Sequence, residues 1–332
     1  MKREKCKKAV SIKKICLSVL LTASLAVSGI GVRPASVSHA ANETDTVSWV
    51  MSEDGNYMQK QADLTATEWD PDNHSELYID VDQNITYQEM AQNVWGGCFN
   101  ERGWDKLMQL TEEERNHILD LLFQPDEPDG LHLTMARMPI GSSDYAMDMY
   151  SLDETEDDYE LHDFSIARDQ EKLIPYIKAA LERQPNLKIW ASPWSPPWWM
   201  KQTDKGVPHT VDQKNGGFIE YTPQNMETYA QYFCKFIEAY DAEGIEIYMV
   251  SPQNEPTMNT PYSSCVWSGE QLRDFIRDYL GPRMQELGVQ IYLGTFTDSN
   301  DKLMDPTLND VEARKYISGI NFQRIMKGYH SL

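Results

Sequence analysis

Apolar residues fall into two alternating patterns along this chain of 332 residues. Short apolar runs of strand length occur at 94–99, 131–138, 187–191, 245–250, 289–293 and 317–322. The last four are rich in Ile, Val, Leu and Tyr, as strands buried on both faces of a parallel sheet tend to be. Between them the spacing changes. Met226, Tyr229, Ala230, Phe233, Phe236, Ile237 and Tyr240 recur at three- and four-residue steps, which places them on one face of a helix. Leu272, Phe275, Ile276, Tyr279 and Leu280 repeat that pattern, and Gly281-Pro282 is expected to interrupt it. Helices are also expected at 111–123, opening on Thr111 and Glu114 in capping-box spacing, and at 169–183. Strand and helix in repeated alternation predict an α/β fold with a parallel sheet.

Two architectures fit that alternation. A doubly wound nucleotide-binding sheet wants a glycine-rich phosphate turn after its first strand. Gly96-Gly97 sits there without the remaining glycines, and no phosphate-loop motif occurs anywhere. A (β/α)8 TIM barrel is therefore the expected fold. Residues 46–50 and 76–81 are read as short strands preceding it.

The first 40 residues lie outside either pattern. A basic stretch containing Lys2, Arg3, Lys5, Lys7, Lys8, Lys13 and Lys14 precedes an apolar run of about 16 residues, and Ser38-His39-Ala40 places small residues at a cleavage site. Roughly 20 residues are needed to span a bilayer, so a secretory signal cleaved after Ala40 is expected rather than a membrane anchor. No later segment is a candidate span. Residues 1–40 contain eight basic residues and one acid; without them 22 basic residues face 51 acidic ones, a net charge of −29. Such a surface repels nucleic acid and anionic lipid and favours a neutral partner. Cys98, Cys234 and Cys265 remain, an odd number with no metal-site spacing, and free thiols are expected.

Candidate chemistry clusters just beyond three proposed strand ends, where a barrel builds its active site. RMPIGSSDY occupies 137–145, ASPWSPPWWMK occupies 191–201 and SPQNEP occupies 251–256. Glu255 ends a core strand and is placed to protonate a glycosidic oxygen; the alternative is an ordinary capping or salt-bridging glutamate. Trp194, Trp198 and Trp199 offer flat faces to a sugar ring, or else plug the loop against a helix, and Trp194 is the better candidate for substrate contact. Asp144 can accept hydrogen bonds from sugar hydroxyls, and Arg137 can hold a carboxylate charged or form a structural ion pair. The acidic run 153–160 reads as a solvated loop, and His162 and His209 lack partners at ligand spacing.

In that order and spacing the three motifs resemble glycoside hydrolase family 30, which includes glucosylceramidases and β-1,6-glucanases. The likeness runs from about Val94 to Phe322 and includes QLRDFIRDYLGP (271–282) and YISGINFQ (316–323). The resemblance implies a barrel with a side β-domain built from both chain ends, to which residues 41–91 contribute strands, and a barrel domain over 92–332. It implies a retaining mechanism on β-linked glucosyl substrates such as a glucan, a glucoside or a glucosylceramide. Glu255 is then the acid/base, Asn254 contacts the sugar beside it, Asp144 and Trp194 line the glycosyl subsite, and Arg137 supports the carboxylates. No metal or organic cofactor is implied. In the family the nucleophilic glutamate follows strand seven, whereas strand six is the last one legible here. The expectation is thus a barrel truncated after strand six, lacking the nucleophile and inactive on its own. Other readings are a non-catalytic carbohydrate-binding remnant and a related endo-β-1,4-glycanase or xylanase.

Overall fold

The computed structural model describes residues 46–47, 50–53, 56–60, 62, 64–65, 94–297 and 300–323. The chain divides into two compact units, 1–87 and 88–332. In the first, Thr46–Val47 pairs antiparallel with Leu64–Thr65, and Val50–Glu53 pairs antiparallel with Asn56–Lys60. Residues 1–40, where a signal is expected, and the strand expected at 76–81 lie outside the described residues. Among the described residues no helix is long and apolar enough to cross a membrane.

The second unit is built on six parallel strands: β1 (Gly96–Cys98), β2 (Met135–Ile140), β3 (Lys188–Pro193), β4 (Ile247–Val250), β5 (Gln290–Phe296) and β6 (Ile317–Phe322). Their spatial order is their chain order, each bonded to the next, β1 through β6. A doubly wound sheet must reverse its strand order at a switch point. No reversal occurs among these six, and the sheet is an arc of a (β/α) barrel. All six expected strands form; the sixth keeps its expected bounds and the other five shift at one end or both. The second starts four residues late, because Leu131 and Leu133 donate their N–H groups to the carbonyls of Leu121 and Leu122 at the end of the preceding helix. It also runs on through Pro139 to Ile140, paired with Ser192 and Pro193 of β3.

Helices cover the outer face. α1 (Glu101–Leu107) and α2 (Glu112–Phe123) follow β1, and α2 opens on the expected capping box between Thr111 and Glu114. Ala167–Glu171 and α3 (Leu173–Leu181) follow β2, and α4 (Pro223–Ala242) follows β3. The seven apolar positions of α4 picked out by their spacing are all buried. After β4, Gly281-Pro282 does not end the helix. Gly269–Phe275 passes through one wide turn, Ile276–Leu280, into Gly281–Leu287. Within that turn the Gly281 N–H reaches back five residues to the Ile276 carbonyl, and the proline, which has no N–H to give, is absorbed by the slack.

A second correction concerns the acidic run. Asp153 is fully buried, and the carbonyls of Asp153 and Glu154 accept the indole N–H groups of Trp199 and Trp198 at 3.3 and 3.2 Å. Its first two residues are a packed ledge under the β3 loop, while Thr155, Glu156, Asp157 and Glu160 are exposed as expected of a solvated loop.

Asp169 is also buried, and its carboxylate accepts hydrogen bonds from the Tyr150 and Tyr240 hydroxyls at 2.8 and 2.7 Å. Burial outweighs those bonds and pushes its carboxyl up to about 6. Its folded value lies above its unfolded one, so the stability it contributes is complete below about pH 4 and is lost as pH rises through 6. Asp169→Asn removes that dependence. In urea unfolding between pH 4 and 7, the stability of the variant relative to wild type should rise by about 2–3 kcal/mol. A difference that stays constant across that range contradicts the assignment.

Candidate active site

The C-terminal ends of β2, β3 and β5 are buried on both faces, which makes them a rigid floor. On it, the 251–256 loop after β4 is stitched to both neighbouring strands. The Ser251 and Asn254 N–H groups donate to Ala191 and Pro193 of β3, and Glu255 N–H donates to Thr295 of β5, which in turn donates to the Gln253 carbonyl. The Gln253 amide bonds to the Trp194 and Asn254 carbonyls, and Trp267 donates to its oxygen. Glu255 is thereby held at φ 43°, in the left-handed region that a glutamate rarely adopts. Such a conformation costs on the order of 1–3 kcal/mol and persists where the surroundings impose it, often at functional sites. Its side chain is half-buried at the mouth of the arc.

Arg137, at the middle of β2, is the hub beneath it. Its guanidinium donates to Ser192 Oγ at 2.7 Å through Nη2 and at 3.1 Å through Nε, and to Asn254 Oδ1 at 2.6 Å. The guanidinium carbon lies 4.8 Å from the ring centre of Trp190 and 4.3 Å from that of Trp194. Burial lowers the guanidinium to about 10, opposed by Cys98, Glu255 and Asp144, yet it remains a cation at any physiological pH. Thr295 Oγ1 also donates to Asn254 Oδ1, at 2.9 Å. With its oxygen held by two donors, Asn254 turns its NH2 group away from them.

The sequence-derived candidates therefore converge. Trp194 is half-buried at the opening, whereas Trp198 and Trp199 are buried plugs. Asp144 sits exposed on the 141–150 loop after β2, which turns at Gly141 with φ 76°; a side chain there would press on the Tyr150 carbonyl. Burial, then the charges of Glu255 and Asp144, raise the Tyr262 phenol. Among the described residues no group of three or more His, Cys, Asp or Glu is arranged to hold a metal ion.

Four contributors escaped the sequence reading: Trp190, Ser192, Thr295 and Gln323. Gln323, just past β6, brings its amide to within 2.9 Å of Glu255 Oε1 and 3.1 Å of Arg137 Nη1, and also against Asn254 Oδ1 and Thr295 Oγ1, so that one amide bridges the carboxyl and the guanidinium. Its sequence signal was its place directly after the last apolar run, as the final residue of YISGINFQ. Glu101, just beyond β1, is in an ion pair with Arg168.

Residues 93–329 match the family model of the glycosyl hydrolase family 30 TIM-barrel domain. The chain is 34% identical over 255 residues to putative glucosylceramidase 3 of Caenorhabditis elegans, covering 73% of this chain and 47% of that protein. It is 29% identical over 238 residues to the lysosomal acid glucosylceramidase of Mus musculus, covering 68% of this chain and 44% of that protein. Among solved structures, an endo-β-1,6-glucanase superposes with a TM-score of 0.62 at 28% identity, covering 70% of this chain and 51% of the other. SrfJ from Salmonella typhimurium gives 0.59 at 30% identity, covering 68% and 49%. The chain spans about half the length of the curated relatives it matches. An arc of sequential parallel strands, three strand-end motifs gathered around one guanidinium and the match over 93–329 all lead to one statement: this chain belongs to glycosyl hydrolase family 30.

Proposed function

We propose that this chain carries the acid/base carboxyl and the glycosyl subsite of a retaining β-glycoside hydrolase acting on β-linked glucosyl substrates. The observation that carries the reading is the convergence of Glu255, Asn254, Asp144 and Trp194 around Arg137 at the C-terminal end of the arc. A sugar stacked on Trp194 places its hydroxyls within reach of Asp144 and the Asn254 NH2. Glu255 protonates the departing oxygen in the first step. In the second it takes the proton of the water that releases the glycosyl unit.

Double displacement also needs a nucleophilic carboxylate, about 5–5.5 Å from the acid in retaining enzymes. Glu101 is committed to Arg168 and to the Met147 N–H, and the role of nucleophile is assigned to no described residue. Glucosylceramidase and endo-β-1,6-glucanase relatives support a β-glucosyl preference. The protein expressed from its own gene, acting on an aryl β-glucoside, should release β-glucose first in a time-resolved proton NMR spectrum. Initial α-glucose overturns the retaining assignment.

The same reading includes export. The basic segment, apolar run and Ala40 support cleavage by a signal peptidase. Sequencing the N-terminus of the protein recovered from its producing cells should begin at or within a few residues of Ala41. A retained Met1 excludes it.

A further inference from the structure

The Glu101–Arg168 pair lies outside the site described above, and its cost calls for an explanation. Glu101 is 2% exposed, and Arg168 approaches it in a fork, Nε to Oε1 at 2.9 Å and Nη2 to Oε2 at 3.1 Å. A buried ion pair is a weak source of stability, since apolar residues of similar volume often serve as well. What this pair holds is the loop that bears Asp144. Glu101 Oε2 also accepts the Met147 N–H at 2.6 Å, and the neighbouring Arg102 N–H donates to the Tyr145 carbonyl at 3.2 Å. Both bonds fall just after Asp144, one residue and three residues along.

The base of the loop is closed independently. Ser142 N–H and Oγ both donate to the Tyr150 carbonyl, and Tyr150 N–H returns a bond to Ser142 Oγ. Arg168 covers the Tyr150 ring at 4.0 Å, and Tyr150 is anchored to Asp169. The base has bonds of its own and meets Glu101 only by way of Arg168, which lies on the Tyr150 ring and also pairs with Asp148 at 3.4 Å, whereas the stretch just after Asp144 bonds directly to Glu101 and its neighbour on α1.

Resting on the functional reading above, we infer that Glu101, held by Arg168, is a positioning residue that sets the Asp144 carboxylate against the sugar. A merely structural ion pair would support the whole domain and act whatever residue stands at 144. A positioning residue acts through Asp144 and should lose its effect when that carboxylate is gone.

The experiment is a double-mutant cycle on the protein expressed from its own gene, reading kcat/KM on an aryl β-glucoside. Glu101→Gln should lower kcat/KM about tenfold with Asp144 present and less than twofold in the Asp144→Ala background. Arg168→Met should behave likewise, and Arg168→Lys, which keeps the charge, should recover to within about threefold of wild type. Equal losses in both backgrounds, with Asp144→Ala itself impaired, overturn the positioning role and leave the site assignment standing. Undiminished activity in Asp144→Ala removes Asp144 from the site, and the functional reading with it. If Glu101→Gln does not fold, Arg168→Met at the more exposed end of the pair is taken through the same cycle, and additivity there overturns the inference.

Discussion

In a full-length enzyme that supplies the nucleophile, Glu255→Gln is expected to lower hydrolysis of unactivated β-glucosides by roughly 10²–10⁴-fold, the usual contribution of a positioned general acid. The substitution keeps the shape of the side chain and its bond partners but removes the transferable proton. The backbone at φ 43° is set by bonds from the Glu255 N–H to Thr295 and from the Met258 N–H to the Glu255 carbonyl, none of which involve the carboxyl. The variant should therefore fold as wild type does. Leaving groups that depart without protonation separate the two steps. With a dinitrophenyl glucoside the first step should be nearly spared, and the glycosyl intermediate should accumulate as an initial burst, because the second step still lacks its base. Wild-type rates on an unactivated glucoside would remove Glu255 from the chemistry.

Arg137→Lys should produce the second-largest effect, in stability and activity together. Lysine keeps the charge but cannot donate to Ser192 and Asn254 as a planar fork, nor lie flat against Trp190 and Trp194. A hydrogen bond to a charged group contributes about 1.5–3 kcal/mol and a cation–π contact about 0.5–2. Since lysine recovers part of each, a net loss of about 2–3 kcal/mol is expected, which lowers Tm by roughly 4–12 °C in a domain of this size. Activity should fall further than stability alone explains. Asn254 and Trp194 both take their orientation from the guanidinium, and a displacement of about 1 Å in a reacting assembly can cost 10²-fold. Differential scanning calorimetry and kcat/KM measured well below the new Tm separate the two effects. A variant melting within a degree of wild type and retaining a third of its activity would show that Arg137 is not the hub.

Much of this arrangement was legible in the chain, for identifiable physical reasons. Parallel strands buried on both faces leave continuous apolar runs, so β4 and β5 were visible, as was the run of β6, although β6 itself is only half-buried, and a 3.6-residue repeat sustained along α4 was visible for the same kind of reason. The site was legible where one strand end carries several polar and aromatic residues in succession, as at 137–145, 191–201 and 251–256. Thr295 and Gln323 were not, because each is a single polar residue at the end of a different strand and gains meaning only when the sheet curves. The left-handed backbone of Glu255 has no local signature either, since the bonds that impose it come from β5. Asp153 misled for the opposite reason: a run of acids normally marks solvent, but here its backbone carbonyls are needed to satisfy two buried indoles.

The most direct test of the central claim is to offer azide to Glu255→Ala during hydrolysis of an activated aryl β-glucoside. Azide needs no general base, so it can attack the trapped glycosyl intermediate from the face that Glu255 once served. If Glu255 is the acid/base of a retaining enzyme, azide restores turnover and the product is β-glucosyl azide. Formation of α-glucosyl azide would make Glu255 the nucleophile, and a Glu255→Ala variant with undiminished activity and no azide product would contradict the account altogether.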